Sequence, residues 1–67
     1  MTKNEFLSHL EKRLSVLKQQ ERLDILAEYS QHIDIKIESG LSEEEAIKDF
    51  GDVDELADEI LDAYNVN

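Results

Sequence analysis

The chain has 67 residues, of which 17 are acidic and 7 are basic, so its formal net charge is −10. A chain of this length forms one small domain, residues 1–67, and is too short to build the large cleft that most enzymes use. The acidic excess argues against direct binding to nucleic acid or to anionic lipid. The absence of cysteine excludes disulfides and thiolate zinc sites and leaves the redox compartment open.

The first predicted helix covers about residues 3–18. Thr2 and Glu5 have the spacing of a capping box, in which a hydroxyl and a carboxylate satisfy free amide groups of the opening turn. Apolar residues then recur at the spacing of one helix face, which is predicted to face the core. They are Phe6, Leu7, Leu10, Leu14 and Leu17.

The second predicted helix covers about residues 20–39, and we expect this longest helix to be the central one. Gly40 is placed to end it in a left-handed conformation. Its main apolar face is predicted to contain Leu23, Leu26, Ala27, Ser30, Ile33 and Ile37.

A second stripe on this helix contains Ile25, Tyr29, His32 and Lys36. It has two interpretations. In the first, the helix is packed on two sides, so that Ile25 and Tyr29 belong to the core. In the second, Tyr29 is an exposed aromatic anchor of a protein interface.

The third and fourth predicted helices cover about residues 43–50 and 53–65, with Gly51 as the turn between them. Ser42 with Glu45, and Asp52 with Glu55, have the spacing of two further capping boxes. The last helix carries one continuous apolar stripe: Val53, Leu56, Ala57, Ile60, Leu61 and Tyr64. Together the four segments predict an all-α fold, a small antiparallel bundle of three to four short helices with a helix-turn-helix in its C-terminal half.

Catalytic chemistry has little support in the sequence. Glu28 and His32 lie four residues apart and could reach one metal ion from one helix face, but a metal-dependent enzyme would need several such pairs. We therefore expect no catalytic, cofactor-binding or metal-binding residues, and no cofactor. Direct DNA binding by the last helix is disfavoured, because the segment 53–64 carries five acidic residues and no basic one.

The predicted interaction surface combines the second stripe with the acidic side of the last helix. Residues 41–67 contain ten acidic residues and Lys48, a net charge of −9, which would attract a basic partner. The candidate residues are Ile25, Tyr29, His32, Lys36, Asp54, Asp58, Glu59 and Asp62.

Three segments of the sequence resemble the bacterial HAAS signalling domain, an all-helical family long catalogued as a domain of unknown function. They are NEFLSHLEKRL (4–14), ERLDILAEYSQHI (21–33) and ESGLSEEEAIKDFGDVDELADEIL (38–61). The last segment is the most specific, because it joins a glycine-stopped helix, a serine-initiated acidic helix and a Gly-Asp turn in a fixed order.

The resemblance implies a non-enzymatic cytoplasmic module of a bacterial membrane protein, which signals by contacting a PadR-like transcriptional regulator. The chain itself contains no apolar run long enough to insert into a membrane, so any tether would be a downstream segment. The alternative is a structural or self-association module, a homodimer that buries Tyr29 and Ile25 and organises membrane-embedded neighbours.

Overall fold

Four α-helices form the protein in a computed structural model that describes residues 1–66, and these residues contain no strand. The helices are α1 (Lys3–Arg13), α2 (Gln19–Glu38), α3 (Glu43–Lys48) and α4 (Val53–Ala63). The predicted all-helical fold is therefore confirmed.

The first helix ends earlier than predicted, at Arg13, and residues 14–17 form a turn. In this turn the amide of Leu17 donates a hydrogen bond to the carbonyl of Leu14 at 3.0 Å. Both leucines are nevertheless buried. Apolar residues three positions apart, such as Leu14 and Leu17, can lie on one side of a tight turn as well as on one face of a helix. The apolar pattern of the sequence therefore continues beyond the end of α1.

Side-chain caps fix where α1 and α3 begin. The hydroxyl of Thr2 accepts from the amide of Glu5 at 3.1 Å, and the carboxylate of Glu5 accepts from the amide of Thr2 at 2.8 Å. Ser42 and Glu45 make the same pair of bonds at 3.1 and 3.0 Å, so both predicted capping boxes are confirmed. At the start of α4, Asp52 instead accepts from the amide two residues ahead at 2.8 Å, a simple N-cap rather than the predicted box.

Two glycines turn the chain between helices. Gly40 has a φ of 115° and Gly51 a φ of 78°, so both have the positive φ that was predicted for them. A side chain is disfavoured there by the backbone itself. These turns direct α3 and α4 back onto α1.

The first helix, not the second, occupies the centre of the fold. It packs against all three other helices, whereas the backbones of α2 and α4, and of α3 and α4, do not contact each other. The reason is the density of apolar side chains on one arc of α1, where Phe6 and Leu10 are fully buried. The expectation that α2 is central was wrong. The length of a helix does not determine its place in a bundle, and α2 contacts only α1 and α3.

The direction of the helices follows from side-chain pairs between them. Lys3, near the start of α1, pairs with Asp34, near the end of α2, at 2.7 Å, so α1 and α2 run antiparallel as predicted. The pairs between α1 and α4 advance together along both helices: His9 with Asp54, then Arg13 with Asp58. We infer that α4 runs in the same direction as α1, because α3 returns the chain to the end where α1 starts.

The core differs from the predicted one on α2. Its buried residues are Phe6, Leu10, Leu14, Leu17, Ile25, Ile33, Ala46, Ile47, Val53 and Ala57. Leu23 and Ile37, predicted to be buried, are 47% and 37% exposed, and Ala27 is exposed as well. The buried side of α2 includes Ile25, and the two helices that pack on α2, α1 and α3, leave Leu23 exposed.

Candidate protein-interaction surface

Tyr29 lies half-buried on the side of α2 that faces α3 and α4. The edge of its ring meets the ring of Phe50, with 5.5 Å between centroids, and Phe50 in turn stacks on Phe6 at 5.7 Å. His32 contacts the same tyrosine ring at 5.9 Å. Tyr29 is thus anchored to the core on one side while its other side remains accessible.

Two carboxylates lie close enough to Tyr29 to influence its ionisation. Burial raises the pKa of the Tyr29 hydroxyl above its ordinary value, and the negative charges of Glu28 and Glu59 raise it further. The hydroxyl makes no hydrogen bond to residues 1–66, and it is not sealed from solvent. We call Glu28, Tyr29, His32 and Glu59 together the Tyr29 surface.

Ile25 does not belong to an accessible surface. It is buried in the core, so the prediction that it contacts a partner is wrong for the folded chain. The sequence alternative in which Ile25 is a core residue is the one that the structure supports. Ile25 lies on the buried side of α2, one turn before Tyr29, so it is enclosed by the core although it belongs to the same stripe of the sequence.

Lys36 is used within the chain. Its ammonium group pairs with Asp49 at 2.6 Å and lies 5.5 Å from the centre of the Phe50 ring. These contacts join α2 to the end of α3. His32, one turn earlier, is exposed and stays available to a partner.

Two of the predicted acidic residues on α4 are also engaged within the chain. Asp54 accepts from Arg13 at 2.7 Å and contacts the His9 ring at 2.9 Å, and Asp58 pairs with the same arginine. The pKa of Asp54 is lowered, first by the hydrogen bond from Arg13 and then by the one from His9. Sequence analysis missed these partners, although His9 and Arg13 have the same four-residue spacing as Asp54 and Asp58.

Glu59 and Asp62, the other two predicted acidic residues of α4, are exposed, as is Glu55. Neither Glu59 nor Asp62 forms an ion pair with any residue in the described part of the chain. Glu28, which was considered only as a metal ligand, is likewise unpaired and lies beside Tyr29. Glu59 and Glu28 therefore carry the uncompensated charge of the Tyr29 surface.

The Arg13–Asp54 contact predicts how stability depends on pH. Because the folded-state pKa of Asp54 is lowered, its contribution is complete above the unfolded pKa near 4 and is lost as pH falls through the folded value. We expect the urea midpoint to fall between pH 5 and pH 2, and to fall less in Arg13→Met. Lys12→Met is the matched control, since Lys12 forms no ion pair within residues 1–66. An identical acid-induced loss in the two variants would contradict the assignment.

Metal ligands do not cluster around Glu28 and His32. Within residues 1–66, no group of three or more histidine, aspartate or glutamate side chains is arranged to hold a metal ion. The same residues include no helix with the length and apolar character needed to span a bilayer.

Comparison with known protein families places most of the chain in one family. The family model of HAAS matches residues 5–59, which is most of the chain and includes every helix except the last turn of α4 and the start of α1. Searches of curated proteins and of solved structures gave no significant match.

Proposed function

The chain belongs to the HAAS family, and we propose that it acts as a non-enzymatic interaction domain whose partner is a PadR-like transcriptional regulator. In this proposal the domain is the cytoplasmic part of a bacterial membrane protein. The observation that carries the proposal is the Tyr29 surface, where a half-buried aromatic ring that packs on Phe50 lies close to two carboxylates that form no ion pair within residues 1–66. Tyrosine is enriched among the residues that anchor protein interfaces.

The charge of this surface selects a basic partner. Asp54 and Asp58 are engaged with Arg13, whereas Glu28, Glu59 and Asp62 form no ion pair within residues 1–66 and leave negative charge on and near the Tyr29 surface. A DNA-binding regulator carries a basic surface, and opposite charges steer two such proteins together. Bound in this way, the domain would compete with DNA for the basic surface of the regulator.

The direct test measures association between the purified chain and a PadR-like regulator from the same genome, by calorimetry at 50 and 300 mM salt. We expect binding at low salt and a weaker affinity at high salt, because dissolved ions screen the attraction between the opposite charges of the two proteins. No association at low salt would overturn the proposal.

Charge reversal at Glu59 is expected to weaken regulator binding roughly tenfold at low salt, because it replaces attraction by repulsion at the centre of the surface. The measurement is the same calorimetric titration with Glu59→Lys. Glu43→Lys is the matched control, because it changes the net charge equally at an exposed residue of α3.

The Tyr29→Phe variant tests whether the tyrosine hydroxyl contributes to regulator binding without contributing to the stability of the fold. The variant keeps the ring that packs on Phe50 and removes only the hydroxyl. We expect weaker regulator binding with an unchanged urea midpoint.

The two charge reversals are compared with each other. Equal losses of binding for Glu59→Lys and Glu43→Lys would show that net charge, and not the Tyr29 surface, governs binding.

A further inference from the structure

A second apolar face remains uncovered on the side of the α1–α2 hairpin opposite the Tyr29 surface. Its apolar residues on α2 are Leu23, Ala27 and Ile37, with Ser30 between them, and Leu7 of α1 lies half-buried alongside. Leu23, Ser30 and Ile37 recur every seven residues, the spacing of a helix–helix seam. We call these five residues the outer face.

The outer face is symmetric about its middle. Leu23 and Ile37 each lie seven residues from Ser30, and on α1 Lys3 and Glu11 each lie four residues from Leu7. The ion pair between Lys3 and Asp34 aligns the two helices. Because α1 and α2 are antiparallel, Leu7 and Ser30, each one turn from a member of that pair, lie at the same height.

We propose that the outer face is the interface of a homodimer, with the twofold axis lying in the interface and crossing both helices at the height of Leu7 and Ser30. Rotation about this axis places Leu23 against Ile37 of the second copy, and the small side chains of Ala27 and Ser30 let the two α2 helices approach closely. The two hairpins then form an antiparallel four-helix arrangement.

Charge favours a second copy on this face. The rotation brings Lys3 opposite Glu11 of the second copy, and Glu11 forms no ion pair within residues 1–66 of its own chain. Asp34, the acidic residue within the face, is already paired with Lys3 at 2.7 Å. The proposed axis therefore brings an unpaired acid of each copy to a lysine of the other copy.

The acidic helix α4 lies away from the proposed axis. It packs on the side of α1 that carries His9 and Arg13, whereas Leu7 points toward the outer face. The net charge of −10 opposes association, but unpaired acids far from the axis are screened at physiological salt, where the Debye length is about 8 Å. Dimerisation leaves the Tyr29 surface uncovered, so it does not depend on the proposed regulator.

Sedimentation velocity of the full chain over a range of concentrations tests the dimer at 0.15 M salt. We expect the wild-type chain to shift from its 7.8 kDa monomer toward twice that mass. Leu23→Glu is expected to raise the dimer dissociation constant at least tenfold. Ile35→Glu is the matched control, because Ile35 is an equally exposed isoleucine, 53% accessible, on another face of α2. Far-UV circular dichroism establishes that both variants remain folded.

Reversing the charge of Glu11 tests the register of the dimer. Glu11→Lys makes the chain less acidic, which by itself reduces repulsion between copies, but it places two positive charges together if Lys3 faces this position. We expect weaker dimers for Glu11→Lys and no weakening for Glu43→Lys. A wild-type chain that stays monomeric at millimolar concentration, or equal effects of the two variants in either matched pair, would overturn the proposal.

Discussion

Replacing Phe6 by alanine is expected to remove a large part of the protein's free energy of unfolding at 25 °C. Phe6 is 1% exposed, stacks on Phe50 and lies on the helix that contacts all the others. Removing a fully buried phenylalanine costs about 3–5 kcal/mol, the transfer free energy plus the cavity that remains. A domain of this size has a total stability of only about 3–10 kcal/mol.

Urea denaturation followed by far-UV circular dichroism measures this loss. Val16→Ala is the control, because Val16 is 62% exposed in the turn after α1 and its truncation removes little packing. We expect the midpoint of that variant to stay within error of the wild type. A Phe6→Ala protein with a near-wild-type midpoint would mean that α1 is not the centre of the core.

Replacing Gly51 by valine is expected to lower the free energy of unfolding by about 2 kcal/mol, since a β-branched residue is poorly tolerated in the left-handed region. Gly51 has a φ of 78°, and a Cβ atom built there meets no heavy atom within 4 Å. The added Cβ therefore meets no clash, and the expected cost is that of the backbone conformation. For a domain of this size, such a loss lowers the melting temperature by roughly 8–16 °C.

Gly51→Asn distinguishes backbone strain from any other role of the glycine. Asparagine tolerates positive φ better than other residues, and Asn65 adopts a φ of 61° in this protein. We expect the asparagine variant to retain most of the stability that valine loses. Equal melting temperatures for the two variants would contradict the backbone explanation, and thermal denaturation decides between these outcomes.

Local signals in the sequence were sufficient to place the starts of α1 and α3. Thr2 with Glu5 and Ser42 with Glu45 act within one turn of chain, and each forms in the structure as its spacing predicts. Periodicity was less informative for α2, where apolar residues lie on more than one side. The choice between Leu23 and Ile25 as the buried residue depends on where α1 and α3 pack on α2, which the sequence of α2 does not contain.

The candidate surface was predicted in part for the same reason. The sequence placed Tyr29 and His32 on one side of α2 and Glu59 on an acidic helix, but it could not bring the two helices together. Asp54 and Asp58 look like free carboxylates in the sequence, because Arg13 lies 41 residues before Asp54 along the chain. Pairing over such a distance follows from the tertiary arrangement and not from local spacing.

The position of α1 has a consequence for how the chain can be divided. Residues 19–66 contain α2 and α3, which contact each other, and α4, whose backbone contacts that of α1 and of no other helix, so this fragment lacks the surface on which α4 packs. A synthetic peptide carrying residues 1–17 would supply that surface from outside, and we expect the two pieces to assemble as complementing fragments. The first quarter of the chain thus attaches the last helix to the rest of the fold.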